Sequence, residues 1–303
     1  MAIRLNGVLP NLTGAQYMLL SALGFSVMGA LVKVAGSADV PLLQIITVRA
    51  AISIVLSLAA IRRAGRHPLG QRRGWLFARG AVGFFSLICV YYAVLQLPFA
   101  QATVLQYLHP VFTAALAYLL LREVPGIPTL VCVTMSLLGL LVMLMPAVSA
   151  DSMGLNWLGI VAGLAGALGS GLAYTIVRKL ASTEHPSVIV LYFPMVCLPG
   201  AILMGWHAFI WPSWQIWMVL LGVGVFTQIG QIGLTKAMQT DLASRATSLS
   251  YIQIVFAALL GLAFFGEIPH LNTLIGAGFI IAGAIVNSWL HGRRPARDVL
   301  SDT

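Results

Sequence analysis

Apolar runs of close to twenty residues, separated by short polar turns, recur along almost the whole chain. A helix rising 1.5 Å per residue needs about 20 such residues to cross the hydrocarbon of a bilayer. On that measure the pattern predicts ten membrane helices, at residues 14–35, 40–61, 74–96, 100–121, 127–147, 155–177, 187–206, 215–238, 243–265 and 271–290. Turn and breaker residues fall between or near the ends of these runs: Gly36 with Pro41, Gly65 with Pro68, Pro98, Pro125 with Pro128, Pro146, Pro186, Pro212 and Pro269. The first run has Arg4 ahead of it and the small residues 35–38 behind it, the outline of a signal peptide. It is longer than the usual apolar core of about 7–15 residues, so it is read as the first helix.

Composition turns the pattern into a class. Apolar residues make up 59% of the chain and charged ones 8%, against about 25% charged in a soluble domain. So few polar residues cannot clothe a soluble core, which leaves an integral, multi-pass protein of the cell membrane, the inner membrane in a Gram-negative cell. The net charge of +9 does not point to nucleic acid, because the basic residues sit in short loops rather than along an aromatic-interleaved face. Arg4, the cluster Arg62, Arg63, Arg66, Arg72 and Arg73, then Arg122, Arg178, Lys179, Lys236, Arg245, Arg293, Arg294 and Arg297 all fall on one side if both termini lie there. Basic loops stay in the cytoplasm, so both termini are expected to be cytoplasmic; Lys33 dissents. Cys89, Cys132 and Cys197 lie inside apolar runs without metal spacing and read as small hydrophobes. No cofactor or metal is expected, and the partners are the lipid bilayer and a small-molecule substrate, with the chain a monomer or weak homodimer.

The pattern also repeats itself. Residues 236–269 lie under residues 92–125 without a gap at an offset of 144. Ala93, Thr103, Tyr107, Val111, Phe112, Glu123 and Pro125 meet Ala237, Thr247, Tyr251, Val255, Phe256, Glu267 and Pro269. Upstream, Ala22-Leu23-Gly24 with Val32 and Lys33 matches Ala167-Leu168-Gly169 with Val177 and Arg178 at an offset of 145. The copies are five predicted helices apart, and an odd number of crossings turns the second one upside down. The expected architecture is therefore all-α, with ten transmembrane helices in two inverted five-helix repeats, residues 1–150 and 151–303, the second ending in a short basic tail. Inverted repeats that exchange roles are the geometry of alternating access.

In each half an apolar helix ends in Glu-x-Pro, Glu123-Val-Pro125 and Glu267-Ile-Pro269, after the cores Pro110-Val111-Phe112 and Ile254-Val255-Phe256. With Arg49 and Arg79 in the second and third predicted helices, the whole chain resembles the EamA family of the drug/metabolite transporter superfamily, and within it the YddG-type exporters of aromatic and other amino acids. The resemblance implies export of small metabolites from the cytoplasm.

Transport needs polar groups that face a cavity at membrane depth, since facing lipid is costly. The fourth predicted helix carries Gln106, Tyr107, His109 and Pro110 at its middle. Pro110 lacks an N–H and displaces the carbonyl four residues back, so the Gln106 oxygen is freed beside an imidazole able to bind substrate or move a proton. A histidine bonded to a neighbouring helix as packing glue is the equal alternative. The matching positions of the ninth predicted helix are Ser250, Tyr251 and Gln253; the paired tyrosines are either gates or packing. Gln228, Gln231 and Thr235 form one polar stripe on the eighth, lining a cavity or bonding a neighbour. Tyr91, with Tyr92 and Gln96, and Tyr174, with Ser170, are further wall candidates. Arg49 receives a substrate carboxylate or is locked to backbone carbonyls. Arg79 lies within snorkelling reach of the cytoplasmic interface and is read as structural.

All eight Asp and Glu residues fall in loops or at helix ends. A proton-coupled pump for lipophilic cations needs an embedded acid, so that class is disfavoured; transport either uses His109 for protons or runs down the substrate gradient. Vitamin import, riboflavin for example, and broad drug export stay open. An intramembrane enzyme is disfavoured for want of a nucleophile with its base, paired aspartates or an H-E-x-x-H ligand pair.

Overall fold

The computed structural model describes residues 12–97, 105–149, 157–266 and 271–292, and every regular element among them is helical. The helices are α1 (Gly14–Ser37), α2 (Leu42–Arg63), α3 (Arg73–Gln96), α4 (His109–Leu121), α5 (Ile127–Ser149), α6 (Trp157–Ala181), α7 (Pro186–Gly205), α8 (Trp214–Thr240), α9 (Ala243–Ser248), α10 (Ile252–Phe265) and α11 (Leu271–Gly292). Among the described residues, seven stretches are long and apolar enough to cross a membrane: α1, α2, α3, α6, α7, α8 and the run from Ala243 to Phe265 that joins α9 to α10. Shorter apolar helices lie in α4, α5 and α11. Pro98 and the start of the fourth predicted helix, Glu267, Pro269 and the basic tail lie outside the described residues.

Local chemistry sets the ends. Thr13 and Gln16 form a reciprocal capping box at the start of α1. Pro186 opens α7, where its missing N–H removes nothing from the helix. The helices α4 and α10 both stop on a left-handed residue, Arg122 at φ 57° and Gly266 at φ 64°. Only Gly266 adopts that conformation without a Cβ penalty; Arg122 is its counterpart 144 positions earlier.

Packing pairs the helices in a regular way. Taking α9 with α10 as the ninth helix and α11 as the tenth, α1 lies against α8 and α3 against α6; α2 contacts α8 and α3 contacts α7; α4 meets α6 and α1 meets α10; α2 packs on α7 and α5 on α11. Each pair maps onto a counterpart, or onto itself, when every helix is moved five places along. One joint even keeps its chemistry. In the α1–α8 contact the Ser21 hydroxyl donates to the Gly230 carbonyl at 2.8 Å, and in the α3–α6 contact the Ser86 hydroxyl donates to the Gly166 carbonyl at 2.6 Å. Serine and glycine have exchanged helices, but the bond remains.

These joints depend on backbones in close approach. A methyl group on Gly24 would sit 2.9 Å from the backbone nitrogen of Gly230, inside contact distance, whereas one on Gly29 would meet nothing within 4 Å. Small residues serve this purpose in membranes, where apolar side chains gain nothing by leaving lipid.

At one end of the bundle the ends of α2, α4, α6 and α8 meet the starts of α3, α7 and α9. Two adjoining cavities of about 490 and 390 Å³ open there, sharing Ser182 and Gln239. Their walls carry Arg66, His67, Glu184 and His185 in one and Arg72, Glu123, Arg178 and Lys179 in the other. Glu123, just past α4, accepts from Arg178 Nε of α6 at 2.6 Å through one oxygen and from the backbone N–H of Ala243, the first residue of α9, at 2.9 Å through the other. Arg178 also donates to the Met238 carbonyl of α8 at 2.6 Å. Glu184 accepts from the backbone N–H groups of Gln71 and Arg72 at 2.7 and 2.6 Å. His185 caps α7, its Nδ1 accepting from the Ser187 N–H at 3.3 Å. Burial, then the charges of Arg66 and Lys236, hold its pKa below 6.5.

Gly24→Leu should therefore destabilise the purified protein by about 1–3 kcal/mol, the cost of overpacking, while Gly29→Leu leaves thermal unfolding unchanged; equal effects would deny the close α1–α8 joint. For His185 the folded pKa is depressed, so the stability it contributes is complete above about pH 6.5 and lost as pH falls. Melting followed from about pH 7.5 to about 5.5 should show a shallower acid loss in His185→Asn, which keeps an acceptor without titrating; identical slopes would separate His185 from the acid response.

Candidate functional site

The fourth predicted helix is not continuous through His109. Leu105 and Gln106 are helical, Tyr107 and Leu108 form a turn, and α4 begins at His109 with Pro110 in its first positions. The cause is the one the sequence suggests. Pro110 has no N–H to offer the Gln106 carbonyl, and the His109 side chain replaces it, with Nδ1 lying 3.0 Å from that oxygen.

The run matching it breaks at the same place by other means. A 3-10 turn over Leu249–Tyr251 separates α9 from α10, although residue 254 is isoleucine where the first copy has Pro110. Here hydroxyls bond back along their own chain: Thr247 to the Ala243 carbonyl at 2.8 Å, Ser248 to that of Arg245 at 2.8 Å and Ser250 to that of Thr247 at 2.6 Å. Such back-bonding competes with the helix ladder and bends it.

The two breaks face each other. The Tyr251 hydroxyl donates to the Tyr107 carbonyl at 2.9 Å, and the two rings stack with centroids 6.1 Å apart. Tyr251 is completely buried. The His109 ring meets Tyr174 of α6 edge-on at 5.3 Å and lies 6.1 Å from Tyr107. Its Nε2 is 3.5 Å from the Ser250 hydroxyl oxygen, whose hydrogen goes to Thr247. With Nδ1 donating to Gln106, a neutral imidazole turns its Nε2 lone pair toward an oxygen. That nitrogen is open to a proton or to a donor from a substrate. Gln106 leaves its side chain exposed, and Tyr107 and Tyr174 are half-buried.

The polar stripe on α8 divides. Gln228 is buried and donates to Ser57 of α2 at 2.9 Å, the bonding role between helices. Gln231 instead accepts from Nη2 of Arg79 at 3.0 Å. Thr235 is buried and donates to the Gln231 carbonyl in its own helix at 2.8 Å. Gln231 also lines a small cleft among α2, α7 and α8 with Arg49, Ser53, Phe193, Pro194, Cys197 and Thr227. Arg49 is half-buried and lines this cleft. Tyr91 packs beside it in the cluster of Ile46, Ala50 and Cys197. Gln253 takes part through its backbone, its carbonyl accepting from Ser26 of α1 at 3.0 Å. Ser170 is bound to Ser86 at 2.7 Å.

Arg79 corrects the sequence reading. Six residues into α3, roughly 9 Å along its axis, it does not snorkel to the surface. Its side chain is 3% exposed, bonded to Gln231 and laid over the Phe193 ring at 4.7 Å. The ring gets there because α3 has glycine opposite: a methyl on Gly83 would lie 2.9 Å from the Phe193 ring. A buried arginine next to Gly80 and Gly83 was the available signal, and Ser53, Ser57 and Phe193 carried none. Among the described residues no group of three His, Cys, Asp or Glu is placed to hold a metal.

Comparison with known proteins agrees with this architecture. The profile of the EamA-like transporter family matches residues 12–145 and again 157–289. The pseudopaline exporter of Pseudomonas aeruginosa is 33% identical over 91% of this chain and 96% of its own. The riboflavin transporter of Vibrio cholerae is 27% identical over 92% of this chain and 94% of its own. A solved crystal structure 20% identical in sequence shares the fold, with a TM-score of 0.78 over 92% of this chain and 98% of the other. The chain is a multi-pass membrane protein that belongs to the EamA-like transporter family.

Proposed function

We propose that the protein is a secondary transporter that exports small metabolites, amino acids first among them, by alternating access through a cavity between two inverted repeats, residues 1–150 and 151–303, with both termini in the cytoplasm. The observation that carries this reading is the pair of helix breaks at Tyr107 and Tyr251, equivalent positions of the duplicated sequence, with His109, Ser250 and Tyr174 gathered around them. Irregular backbone at membrane depth persists where it lines a cavity or is buried in protein, and broken helices hold substrate in transporters built from inverted repeats.

Further support is independent of the breaks. The family profile matches the chain twice, helix pairs correspond five places apart, and the serine–glycine joint recurs with its partners exchanged. Glu123 at the end of α4 bonds the start of α9, as antiparallel copies require. The concentration of Arg66, Arg72, Arg178 and Lys179 at that end supports assigning it to the cytoplasm, where positively charged loops are retained. Export is favoured by the pseudopaline exporter among the relatives. The aromatic cluster of Tyr107, Tyr174 and Tyr251 also suits a planar ring, and with the Vibrio cholerae relative it makes riboflavin import the second reading.

Counterflow into liposomes loaded with unlabelled compound separates the two. Labelled Phe, Thr or Met should exchange saturably, with riboflavin and a quaternary amine excluded; exchange of riboflavin alone would select the second reading. His109→Ala should lower amino-acid flux by at least about tenfold, the loss of one bond to a developing or bound charge, in protein that remains monodisperse. Unchanged flux would leave His109 as packing.

A further inference from the structure

The guanidinium of Arg79 is the buried charge that the fold does not satisfy. It is 3% exposed, and of its three nitrogens Nη2 alone has a bond, to Gln231; Nε and Nη1 are buried without a partner. The four acids among the described residues are elsewhere. Glu123 pairs with Arg178, Glu184 receives two backbone N–H groups, Asp241 pairs with Arg245, and Asp39 is in the turn after α1. A cation at membrane depth is retained where it meets a partner or a transported group.

Its surroundings are built to receive an anion. Phe193 and Gln231, the two side chains that hold Arg79, also line the cleft that contains Arg49, Thr227 and Ser53. The Ser53 hydroxyl there is buried and unpartnered. Gln231 fixes one side of the guanidinium and Phe193 covers its face, which leaves donors free on a planar fork whose geometry matches a carboxylate. The cleft holds about 10 Å³, the room of roughly one water, so admitting a ligand requires a wall to move. One wall is α7, a continuous helix that carries Pro194 and Pro199. Tyr174, on the helix α6 that packs against α3, meets the His109 ring edge-on at 5.3 Å.

We propose that Arg79 receives the carboxylate of the transported metabolite beside the cleft lined by Arg49 and Ser53, to which Gln231 and Phe193 connect it, so that this carrier selects substrates that bear a carboxylate. The role rests on the reading of the protein as an amino-acid exporter. It predicts recognition of the charge itself, so the probes are phenylalanine and phenylalaninamide, which differ only at that group.

Full-length protein in liposomes should exchange the acid at least about tenfold better than the amide, the discrimination one charged hydrogen-bonded group gives. Arg79→Gln should lose that preference, with the acid falling to the level of the amide, and Arg79→Lys should keep part of it. A structural arginine would change the rates for both compounds alike. Equal exchange of acid and amide by the unaltered protein overturns the proposal without any variant, so a misfolded Arg79→Gln does not protect it. A folded Arg79→Gln that keeps the preference overturns it as well. Failure of the amino-acid reading looks different: neither phenylalanine, threonine and methionine nor their amides exchange at all.

Discussion

Hydrocarbon offers a peptide group no hydrogen-bond partner, so a helix that breaks inside a membrane must find each lost bond within the protein. The two breaks do this with different chemistry. At the first, an imidazole takes over a carbonyl that a proline has abandoned. At the second, a run of hydroxyls bonds back to carbonyls one turn earlier. One tyrosine hydroxyl, from Tyr251 to the Tyr107 carbonyl, then ties the second break to the first. The polar centre of the protein exists because both interruptions are satisfied at the same place.

Around that centre the scaffold is held by close contacts rather than by apolar side chains leaving water. The α1–α8 and α3–α6 joints bring glycine backbones against their neighbours and fix each approach with a serine hydroxyl. Among the described residues the ion pairs lie at helix ends, while Arg79 and Arg49 carry charge into the bundle. The halves are alike in backbone and unlike in side chains. Where the first has Gln106, His109 and Pro110, the second has Ser250, Gln253 and Ile254, so the two breaks present different donors and acceptors.

Much of this was legible in the chain. The ten apolar runs each contain helix, because bilayer thickness fixes their length independently of tertiary detail. The release of the Gln106 carbonyl follows from Pro110 alone, a covalent fact. The break at Leu249–Tyr251 was hidden, since Thr247, Ser248 and Ser250 bend a helix only if each rotamer turns back on its own chain. The division of Gln228 from Gln231 was hidden too: both lie on one face of α8, but that face spans the border between Ser57 of α2 and Arg79 of α3. Arg79 was misread for a related reason. Its depth allows a flexible stem to reach either the interface or the interior, and the rotation of α3 decides between them through Gly83, Phe193 and Gln231.

Glu123 is at once the counter-ion of Arg178 and the cap on the first residue of α9. Each of its oxygens is committed to a different helix, so the carboxylate cannot release α6 and remain fully bonded unless another donor replaces Arg178. Any motion that parts the end of α4 from α6 and α9 removes an ion pair and exposes a helix start in the same step. Parting the basic end of the bundle is therefore a loss of whole bonds, a threshold instead of a graded spring.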